Sequence, residues 1–358
     1  MEIRVENLYK KIGEIKILEN INVVFDEGSV NVILGPNGAG KTSLLRQLAL
    51  LDKPSGGELF FDGEVLTKLS AKTKTNLRRK IGFTFQNPIL LSGTVFENIV
   101  YGLKVRRLKI DSGKIKEVLS VVSLTEKIGR EAKVLSGGEK QRLSLARILV
   151  LEPEVYIFDE PTANLDPVSV KTIENVIFQL SQLKKTIILS THNLRQAKRF
   201  GKKLFFMNNG TIAQEGSVKD IFNHPVSVDI AEHIYSENIF RGKIVKKNGQ
   251  EYLVCGDLKI NVVTGDISGD VVGILRPEDI FVSKLPIVSS ARNSFNGKIK
   301  RIENMGTVYD LTVSVRRVDF ETVITKQSME SLDLKPGAEI YLTFKATSVH
   351  LVRDDANR

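Results

Sequence analysis

The feature that most constrains this chain is the stretch at residues 30–42, VNVILGPNGAGKT. Its apolar residues predict a buried strand that breaks into a glycine-rich loop, and residues 43–50 predict a helix. Gly35, four intervening residues and then Gly40-Lys41-Thr42 fit the phosphate-binding P-loop pattern. Because a strand precedes this loop and a helix follows it, the pattern predicts a nucleotide site.

The residue types of this loop match the chemistry of a triphosphate. Glycines let backbone N–H groups turn toward the phosphates, and Lys41 can reach the β- and γ-phosphates. The Thr42 hydroxyl can ligate Mg²⁺, and the helix dipole favours anions. The expected ligands are ATP and Mg²⁺, and the residues predicted to bind the nucleotide here are Gly35, Pro36, Asn37, Gly38, Ala39, Gly40, Lys41, Thr42 and Ser43.

Strands and helices alternate over the first 228 residues. Strand patterns recur between helical segments, of which residues 94–133 are the longest. This alternation predicts a parallel sheet that binds ligands at the C-terminal ends of its strands. Polar groups follow three of the predicted strands, namely Gln86, Asp159-Glu160 and Ser190-Thr191-His192.

Together with LSGGE at residues 135–139, this ordered set resembles the ATP-binding subunit of the ABC transporter superfamily. The resemblance covers residues 1 to about 228, with a helical subdomain at about 92–134. It implies that Asp159, with Thr42 and Gln86, holds Mg²⁺. It also implies that Glu160 polarises the attacking water and that His192 contacts the γ-phosphate. Gln86 would link the metal site to membrane subunits, and Lys41 would act with these residues in catalysis.

The same resemblance implies a homodimer with two ATP molecules between its subunits, because the chain has one set of motifs. A loop at residues 164–166, including Asp166, would face the partner's active site. The residues that would close over the nucleotide bound to the opposite subunit are Ser136, Gly137, Gly138 and Glu139.

One position departs from the family pattern. An aromatic residue that stacks on adenine usually follows L-x-K-x, but here Leu8-Tyr9-Lys10-Lys11 is followed by Ile12. Ile12 can pack on the base without the stacking contribution of a ring. It is therefore the residue predicted to contact adenine.

Composition excludes several classes of protein. No apolar stretch approaches the roughly 18 residues of a membrane span, and MEIRVENLYK lacks the apolar core of a signal peptide. The single cysteine, Cys255, excludes an internal disulfide and fits a reducing compartment. The net charge of +10 is compatible with nucleic acid or an anionic membrane, but the basic groups are scattered without interleaved aromatic residues. Nucleic-acid binding is therefore not predicted.

From about Ser236 the pattern changes to short strands separated by turns. An internal repeat is visible, because residues 240–244, FRGKI, match residues 295–299, FNGKI, and residues 271–282 align with residues 340–351. The prediction is an α/β P-loop ABC ATPase domain at residues 1–228 and a linker at 229–238. An all-β, OB-like C-terminal region would follow, with a first β-barrel half at 239–288 and a second β domain at 289–358.

The second half, with SARN at residues 290–293 and KATS at 345–348, resembles the molybdate/tungstate-binding domain of oxyanion sensors, storage proteins and some ABC subunits. Cations and hydroxyl or N–H donors suit a buried dianion. The first repeat carries Pro277-Glu278-Asp279 in place of Ala346-Thr347-Ser348, and its carboxylates would repel an anion. The resemblance implies an oxyanion site formed by Ser290, Arg292, Lys345, Ala346 and Thr347.

These resemblances favour the ATPase subunit of a molybdate or tungstate importer on the cytoplasmic face of the cell membrane. It would work with two permease subunits and an extracytoplasmic binding protein, and bound oxyanion would act as a feedback brake. Two alternatives remain at this stage. One is an importer of sulfate, iron or sugar with a purely structural barrel, and the other is an oxyanion sensor or store that uses ATP as a switch.

Overall fold

A computed structural model describes residues 1–235 and 237–354. Ser236, where the sequence pattern was expected to change, and residues 355–358 of the predicted second β domain lie outside the described residues. The chain divides into two compact units, Met1–Ile221 and Phe222–Arg358. No helix in the described part is long and apolar enough to cross a membrane.

The first unit combines strands and helices. Its strands are β1 Ile3–Ile12, β2 Ile15–Phe25, β3 Val30–Leu34, β4 Gly56–Phe61, β5 Glu64–Val65, β6 Ile81–Thr84, β7 Val155–Asp159, β8 Thr186–Thr191, β9 Lys203–Asn208 and β10 Thr211–Ser217. The helices that begin before residue 222 are α1 Lys41–Leu48, α2 Ala71–Arg79, α3 Val95–Val105, α4 Ser112–Val121, α5 Gly137–Leu149, α6 Pro167–Gln182, α7 Leu194–Phe200 and α8 Val218–Asn223.

A six-stranded sheet in the order β10-β9-β3-β8-β7-β6 carries the motifs. Its strands β9, β3, β8, β7 and β6 are parallel, and every residue of β3, β7 and β8 is buried. Such continuous burial is expected of parallel strands that are covered on both faces. The register pairs Leu34 with Thr191 and Asp159 with Ser190, so the strand ends that carry the motifs meet at one edge.

A second, antiparallel sheet in the order β2-β1-β4-β5 packs with α1 around a shared core. Between β6 and β7 the chain forms α3, α4, two short 3₁₀ turns and α5. Thr94 begins α3 and Ser136 begins α5, each with a complete capping box. These caps satisfy backbone N–H groups that a helix start leaves unpaired, which fixes where both helices begin.

The second unit is mostly β-structure. Its elements are α9 Val228–Ile234, β11 Ile239–Lys247, β12 Gln250–Cys255, β13 Leu258–Asn261, β14 Asp270–Leu275, β15 Phe281–Ser283, β16 Asn293–Asn304, β17 Val308–Val315, β18 Val318–Thr325, α10 Lys326–Ser331, β19 Glu339–Phe344 and β20 Val349–Arg353. They form two five-stranded sheets, in the orders β13-β12-β11-β14-β20 and β15-β19-β16-β17-β18.

The predicted linker at 229–238 differs from the structure. Residues 228–234 form α9, and Ala231 of this helix packs against Val272, Ile274 and Val352. The segment carries buried apolar residues at helical spacing, Ile230, Ala231 and Ile234, so it contributes to a core instead of connecting two domains.

The sequence leaves open whether the two β-barrel halves that meet at residue 289 share a sheet, and in the structure they do. Strand β15 of the first half joins the sheet of the second half, and β20 of the second half joins the sheet of the first. The exchange keeps the register of the repeat: Gly273 pairs with Leu351, and their counterparts in the repeat, Leu342 and Val282, pair with each other. One apolar core, from Phe240 to Leu351, therefore spans both repeats.

Candidate functional site

The glycine-rich loop lies between β3 and α1 and is shaped by close backbone approaches. A Cβ added at Gly35 would lie 2.0 Å from the Met207 carbonyl oxygen, and one at Gly40 would lie 3.0 Å from the Ile17 carbonyl oxygen. Gly40 has φ +100 and is the N-cap of α1. Only glycine tolerates this combination of space and backbone angle, so the spacing of glycines follows from packing as well as from phosphate binding.

The Lys41 side chain is buried at the base of this loop. Its Nζ donates hydrogen bonds to the carbonyl oxygens of Gly35 at 2.7 Å and Pro36 at 3.0 Å, and it lies 3.2 Å from Oε1 of Glu160. The loop borders a cavity of about 320 Å³ lined by Ile17, Asn37, Gly38, Ala39, Gly40, Lys41, Thr42, Ser43, Gln86 and Glu160. Residues predicted from three separate motifs therefore meet around one cavity.

Asp159 and Glu160 follow the buried strand β7. The Ser190 hydroxyl donates to Oδ1 of Asp159 at 2.7 Å and accepts a hydrogen bond from the Glu160 backbone N–H at 3.1 Å. Burial raises the pKa of Asp159, although hydrogen bonds from Ser190 and Thr42 act in the opposite direction. Ser190 therefore positions both acidic residues, a role that the sequence analysis did not assign to it.

Glu160 connects the glycine-rich loop to the end of β8. Its Oε2 lies 2.8 Å from Nδ1 of His192, whereas its Oε1 faces Lys41 and has no hydrogen-bond partner among the described residues. The backbone of Glu160 has φ +45, a left-handed conformation that is uncommon outside glycine and occurs at functional sites. A buried carboxylate oxygen without a partner is suited to accept a hydrogen bond from a ligand or a water molecule.

Gln86 is exposed, follows β6 and lines the same cavity. Side chains of the helical subdomain hold the loop that starts here. Gln141 of α5 donates to the Phe85 carbonyl oxygen at 3.1 Å, and Asn98 of α3 binds both the N–H and the carbonyl of Leu91. The position of Gln86 is thus tied to α3 and α5.

The LSGGE segment does not contribute to this cavity. Ser136 and Gly137 are exposed at the start of α5, and the Glu139 carboxylate forms an ion pair with Lys127 that, with the Ser136 backbone, lowers the pKa of Glu139. A Cβ on Gly138 would lie 2.2 Å from Oγ of Ser169 and 2.6 Å from Oδ2 of Asp166. Gly138 therefore permits the close packing of α5 against the start of α6.

Asp166 likewise lies outside the cavity. It is exposed and is the N-cap of α6, where its Oδ1 accepts a hydrogen bond from the Ser169 N–H at 2.9 Å. This bond lowers the pKa of Asp166. Within this subunit the residue therefore caps α6 and does not border the cavity.

Ile12, which the sequence predicts to contact adenine, does not line this cavity. It is 62% exposed at the end of β1, where it pairs with Ile15 across a two-residue turn. The aliphatic residue at the cavity is Ile17, further along β2. The sequence pattern identifies Ile12 as the residue in place of the usual aromatic ring. It does not show which residues the β1–β2 hairpin brings to the cavity.

Gln196 is a second residue that sequence analysis missed. It is 3% exposed at the start of α7; its Nε2 donates to Oγ1 of Thr162 at 2.6 Å and its Oε1 accepts from the Thr191 hydroxyl at 3.0 Å. The network connects the residue before His192 with the segment that follows Glu160. Polar residues in a short helix carry no recognisable motif, so only the fold reveals this connection.

The donor groups at the cavity fit Mg²⁺. Among the described residues no cluster of three or more His, Cys, Asp or Glu side chains forms a metal site. Asp159, Thr42 and Gln86 instead offer a carboxylate, a hydroxyl and an amide oxygen, and Asp159 accepts a hydrogen bond from Thr42. Hard oxygen donors of this mixed kind suit Mg²⁺, which is usually held by one or two carboxylates together with substrate phosphates.

The residues predicted to form an oxyanion site border different cavities or lie on the surface. Arg292 and Ala346 line a cavity of about 340 Å³, whereas Thr347 lines a different cavity of about 490 Å³. Ser290 and Lys345 are exposed and line neither of these two cavities. Neither of these two cavities is therefore lined by all five residues.

The Arg292 cavity also contains an acidic group. Glu251 lines it and forms a 2.7 Å ion pair with Lys246, and hydrogen bonds to Lys246 and Thr264 lower the pKa of Glu251 to about 2. The Arg292 backbone carbonyl accepts a hydrogen bond from Asn261 at 3.2 Å, and its guanidinium forms no ion pair with another described residue. An anion bound here would face one carboxylate as well as two cations.

Comparisons with known proteins cover both units. A family described as ABC transporter matches residues 18–163, and one described as TOBE domain matches residues 289–351. The chain is 35% identical to the molybdate/tungstate import ATP-binding protein of Pyrococcus horikoshii, over 98% of this chain and 99% of the relative. It is 29% identical to a sulfate/thiosulfate import ATP-binding protein of Bacillus cereus, over 99% of both.

A solved structure gives the same result for the fold. It is a dimeric ATP-binding cassette bound to ADP and Pi, and it superposes with a TM-score of 0.56 at 31% identity. The match covers 60% of this chain and 98% of the solved one. The similarity therefore extends over an entire cassette.

Proposed function

This chain belongs to the ABC transporter family as an ATP-binding subunit of an importer, and we propose that it hydrolyses ATP to power the import of molybdate, tungstate or both. It is a transport ATPase. Its cargo and the roles of its individual residues are proposed below. The contact of Glu160 with both Lys41 and His192 at the edge of the cavity carries the mechanistic part.

In the proposed mechanism Lys41 exchanges partners when ATP binds. Its ammonium group now contacts two loop carbonyls and Glu160, and phosphate oxygens would compete for these contacts. Once Lys41 turns to phosphate, Glu160 is free to accept a hydrogen bond from the attacking water. His192, 2.8 Å from the other carboxylate oxygen, would orient Glu160 and contact the γ-phosphate.

Thr42, Asp159 and Gln86 would hold Mg²⁺. The ion supplies charge neutralisation on the phosphates, which phosphoryl transfer needs more than covalent chemistry. Ser190 keeps Asp159 in place through its 2.7 Å hydrogen bond. Gln141 and Asn98 connect the loop that contains Gln86 to α5 and α3. Binding of Mg²⁺ at Gln86 would therefore be coupled to the position of the helical subdomain.

The proposed assembly is a homodimer with two ATP molecules at its interface. Ser136 and Gly137 are exposed and lie outside the cavity of their own subunit, so they are available to a nucleotide bound to the opposite one. The backbone N–H groups at the start of α5 and the Ser136 hydroxyl would contact phosphate there. Ile12, exposed at the tip of the β1–β2 hairpin, would pack against adenine.

Two permease subunits are the proposed membrane partners, fed by an extracytoplasmic binding protein, and the chain would lie on the cytoplasmic face. A groove of about 240 Å³ next to Gln86 is suited to receive a permease segment. Its apolar and aromatic side chains resemble the core of a protein interface. Its lining residues are Phe83, Phe85, Ile89, Tyr101, Gly102, Ser144, Arg147, Ile148 and Leu151.

The cargo proposal is supported by the relative from Pyrococcus horikoshii, whose length the chain covers almost completely. A sulfate or thiosulfate importer is the second candidate, because the Bacillus cereus relative is covered equally well. An ATP-switched sensor or store is less well supported, because the Lys41–Glu160–His192 arrangement has the parts required for hydrolysis.

Feedback control by internal oxyanion remains part of the proposal. Since Ser290 and Lys345 are exposed and Arg292 borders an open cavity, these residues would complete an oxyanion site only with residues of a second subunit. Binding of the ion would then stabilise one arrangement of the dimer, as the linkage of binding and conformation requires.

The test uses proteoliposomes that contain the permease, the binding protein and this subunit. We expect uptake of tungstate or molybdate in preference to sulfate. Glu160→Gln should still bind ATP but hydrolyse it at least about a hundredfold more slowly and abolish uptake. Glu154→Gln, at the opposite end of β7 in an exposed pair with Lys80, is the matched control and should keep wild-type rates.

Each result decides a separate part of the proposal. Uptake of sulfate alone would contradict the cargo and leave the ATPase mechanism intact. Normal hydrolysis by Glu160→Gln would contradict the role of Glu160. Hydrolysis that internal tungstate inhibits in the wild type but not in Arg292→Ala supports the feedback site, and equal inhibition in both contradicts it.

A further inference from the structure

A short basic segment spans the last two residues of α3 and the turn after it; it is called the basic loop here and comprises residues 104–110, with the sequence KVRRLKI. Its cations are interspersed with three exposed apolar side chains. Val105, Leu108 and Ile110 are 59%, 48% and 41% exposed. Among the described residues, none of the four cations forms an ion pair. A segment that exposes both unpaired cations and apolar groups is chemically suited to the boundary between lipid headgroups and acyl chains.

The fold adds further cations to this loop. Nη1 of Arg106 donates a 2.7 Å hydrogen bond to the Arg79 carbonyl oxygen at the end of α2, which brings the loop next to exposed Arg78 and Arg79. Burial, together with the neighbouring charge of Arg79, lowers the pKa of Arg106. The nearest acidic residue in the sequence, Asp111, turns its carboxylate to the N–H groups of α4.

Part of this charge has an internal role. Arg106 binds a backbone carbonyl at the end of α2, and Lys104 is in the last turn of α3, where a cation stabilises the helix dipole. Arg107 and Lys109 have neither role and are exposed, as are Leu108 and Ile110. These four side chains are therefore the ones left for an external partner.

We propose that the basic loop attaches this subunit to a membrane surface that contains anionic phospholipids, with Arg107 and Lys109 on the headgroups and Leu108 and Ile110 at the acyl boundary. The loop begins one helical turn after Tyr101, which lines the groove proposed for the permease. The surface that contacts lipid would thus be continuous with the groove that contacts the permease. The inference rests on the proposed location of the subunit at a membrane and is independent of its cargo.

Flotation of the full chain with vesicles tests this surface without the permease. Vesicles of phosphatidylcholine and phosphatidylglycerol should bind the chain, and vesicles of phosphatidylcholine alone should bind it much less. Arg107→Glu with Lys109→Glu should lower binding at least about tenfold, because each cation near an anionic surface contributes separately. Leu108→Ser with Ile110→Ser should weaken the binding that persists at high salt.

The control is Lys184→Glu with Lys185→Glu, at the turn between α6 and β8. It makes the same change in net charge next to an exposed leucine, Leu183, and should leave vesicle binding unchanged. Unchanged ATP hydrolysis by all variants in solution would show that they are folded and would separate this inference from the catalytic mechanism.

Three outcomes would overturn the inference. One is equal binding to neutral and anionic vesicles, and another is an equal loss of binding in the control. The third is tighter binding of the wild type to an RNA or DNA of comparable charge, with the same dependence on Arg107 and Lys109, which would make the loop a nucleic-acid site.

Discussion

Asp159 and Glu160 are adjacent carboxylates with different surroundings. Asp159 is enclosed at the end of β7, where burial raises its pKa, and Ser190 and Thr42 are its hydrogen-bond donors. Glu160 instead lies between Lys41 and His192 with one oxygen still without a hydrogen-bond partner. The first arrangement suits a metal ligand and the second suits a group that accepts a hydrogen bond from water.

The raised pKa of Asp159 has a consequence for stability. The ordinary pKa of its carboxyl group is 3.8, and a higher value in the folded chain means that ionisation destabilises the fold. This cost is present above the raised pKa and disappears as the pH falls below the ordinary value. Asp159→Asn should therefore raise the thermal unfolding midpoint of the nucleotide-free chain at neutral pH, by about 2–4 °C for each kcal/mol.

Calorimetry between pH 4 and pH 8 measures this effect, which should shrink toward the acidic end. Stabilisation by ATP with Mg²⁺ should be lost in the same variant. Asp166→Asn is the control, because a hydrogen bond lowers the pKa of that carboxyl group and its substitution should not raise the midpoint. A lower midpoint for Asp159→Asn would contradict the argument.

The capping boxes of α3 and α5 have the same chemistry but different expected roles. Thr94 pairs with Glu97 and Ser136 pairs with Glu139 through the same two reciprocal hydrogen bonds of a capping box. Only Ser136 is proposed to contact a nucleotide on the opposite subunit. The two helix starts therefore allow the structural and functional contributions of a cap to be separated.

We expect Thr94→Ala and Ser136→Ala each to reduce the free energy of unfolding by about 1 kcal/mol, because each removes one cap. Only Ser136→Ala should also lower ATP hydrolysis, by at least about tenfold, which a measurement on the assembled transporter would detect. If both variants lost activity equally, the loss would come from the helical subdomain and the proposed contact across the dimer would be wrong.

At the scale of the whole molecule, the interleaved repeats of the second unit share one core. Phe320 lies at its centre, with ring centroids 4.8 Å from Phe240 of the first repeat and 6.1 Å from Phe344 of the second. Strands β15 and β20 each pair with the sheet of the other repeat. The two repeats should therefore fold and unfold as one cooperative unit.

Phe320→Ala tests this cooperativity, with an expected loss of about 3–5 kcal/mol from the second unit. Hydrogen exchange should accelerate in β12 and β17 together, although β12 belongs to the first repeat and β17 to the second. Accelerated exchange in β17 alone would show that the repeats fold separately. An exposed substitution, Phe281→Ala, should leave both strands protected.

Local motifs were the part of the site that the sequence predicted best. The fold class was confirmed, and the P-loop, Gln86 and Glu160 meet at one cavity as the order of strands suggested. Such motifs are readable because each depends on a few adjacent residues and on a strand that ends beside them. The replacement of an aromatic residue by Ile12 was also visible, but the contribution of Ile17 to the cavity was not.

Contacts between distant residues required the tertiary structure. The hydrogen bonds of Ser190 and Gln196, the different cavities that Arg292 and Thr347 line, and the exchange of β15 and β20 all depend on packing. Basic groups scattered along the sequence likewise become neighbours only when Arg106 meets the end of α2. Sequence periodicity records which face of a segment is buried, whereas the partner of that face is set by how the elements pack.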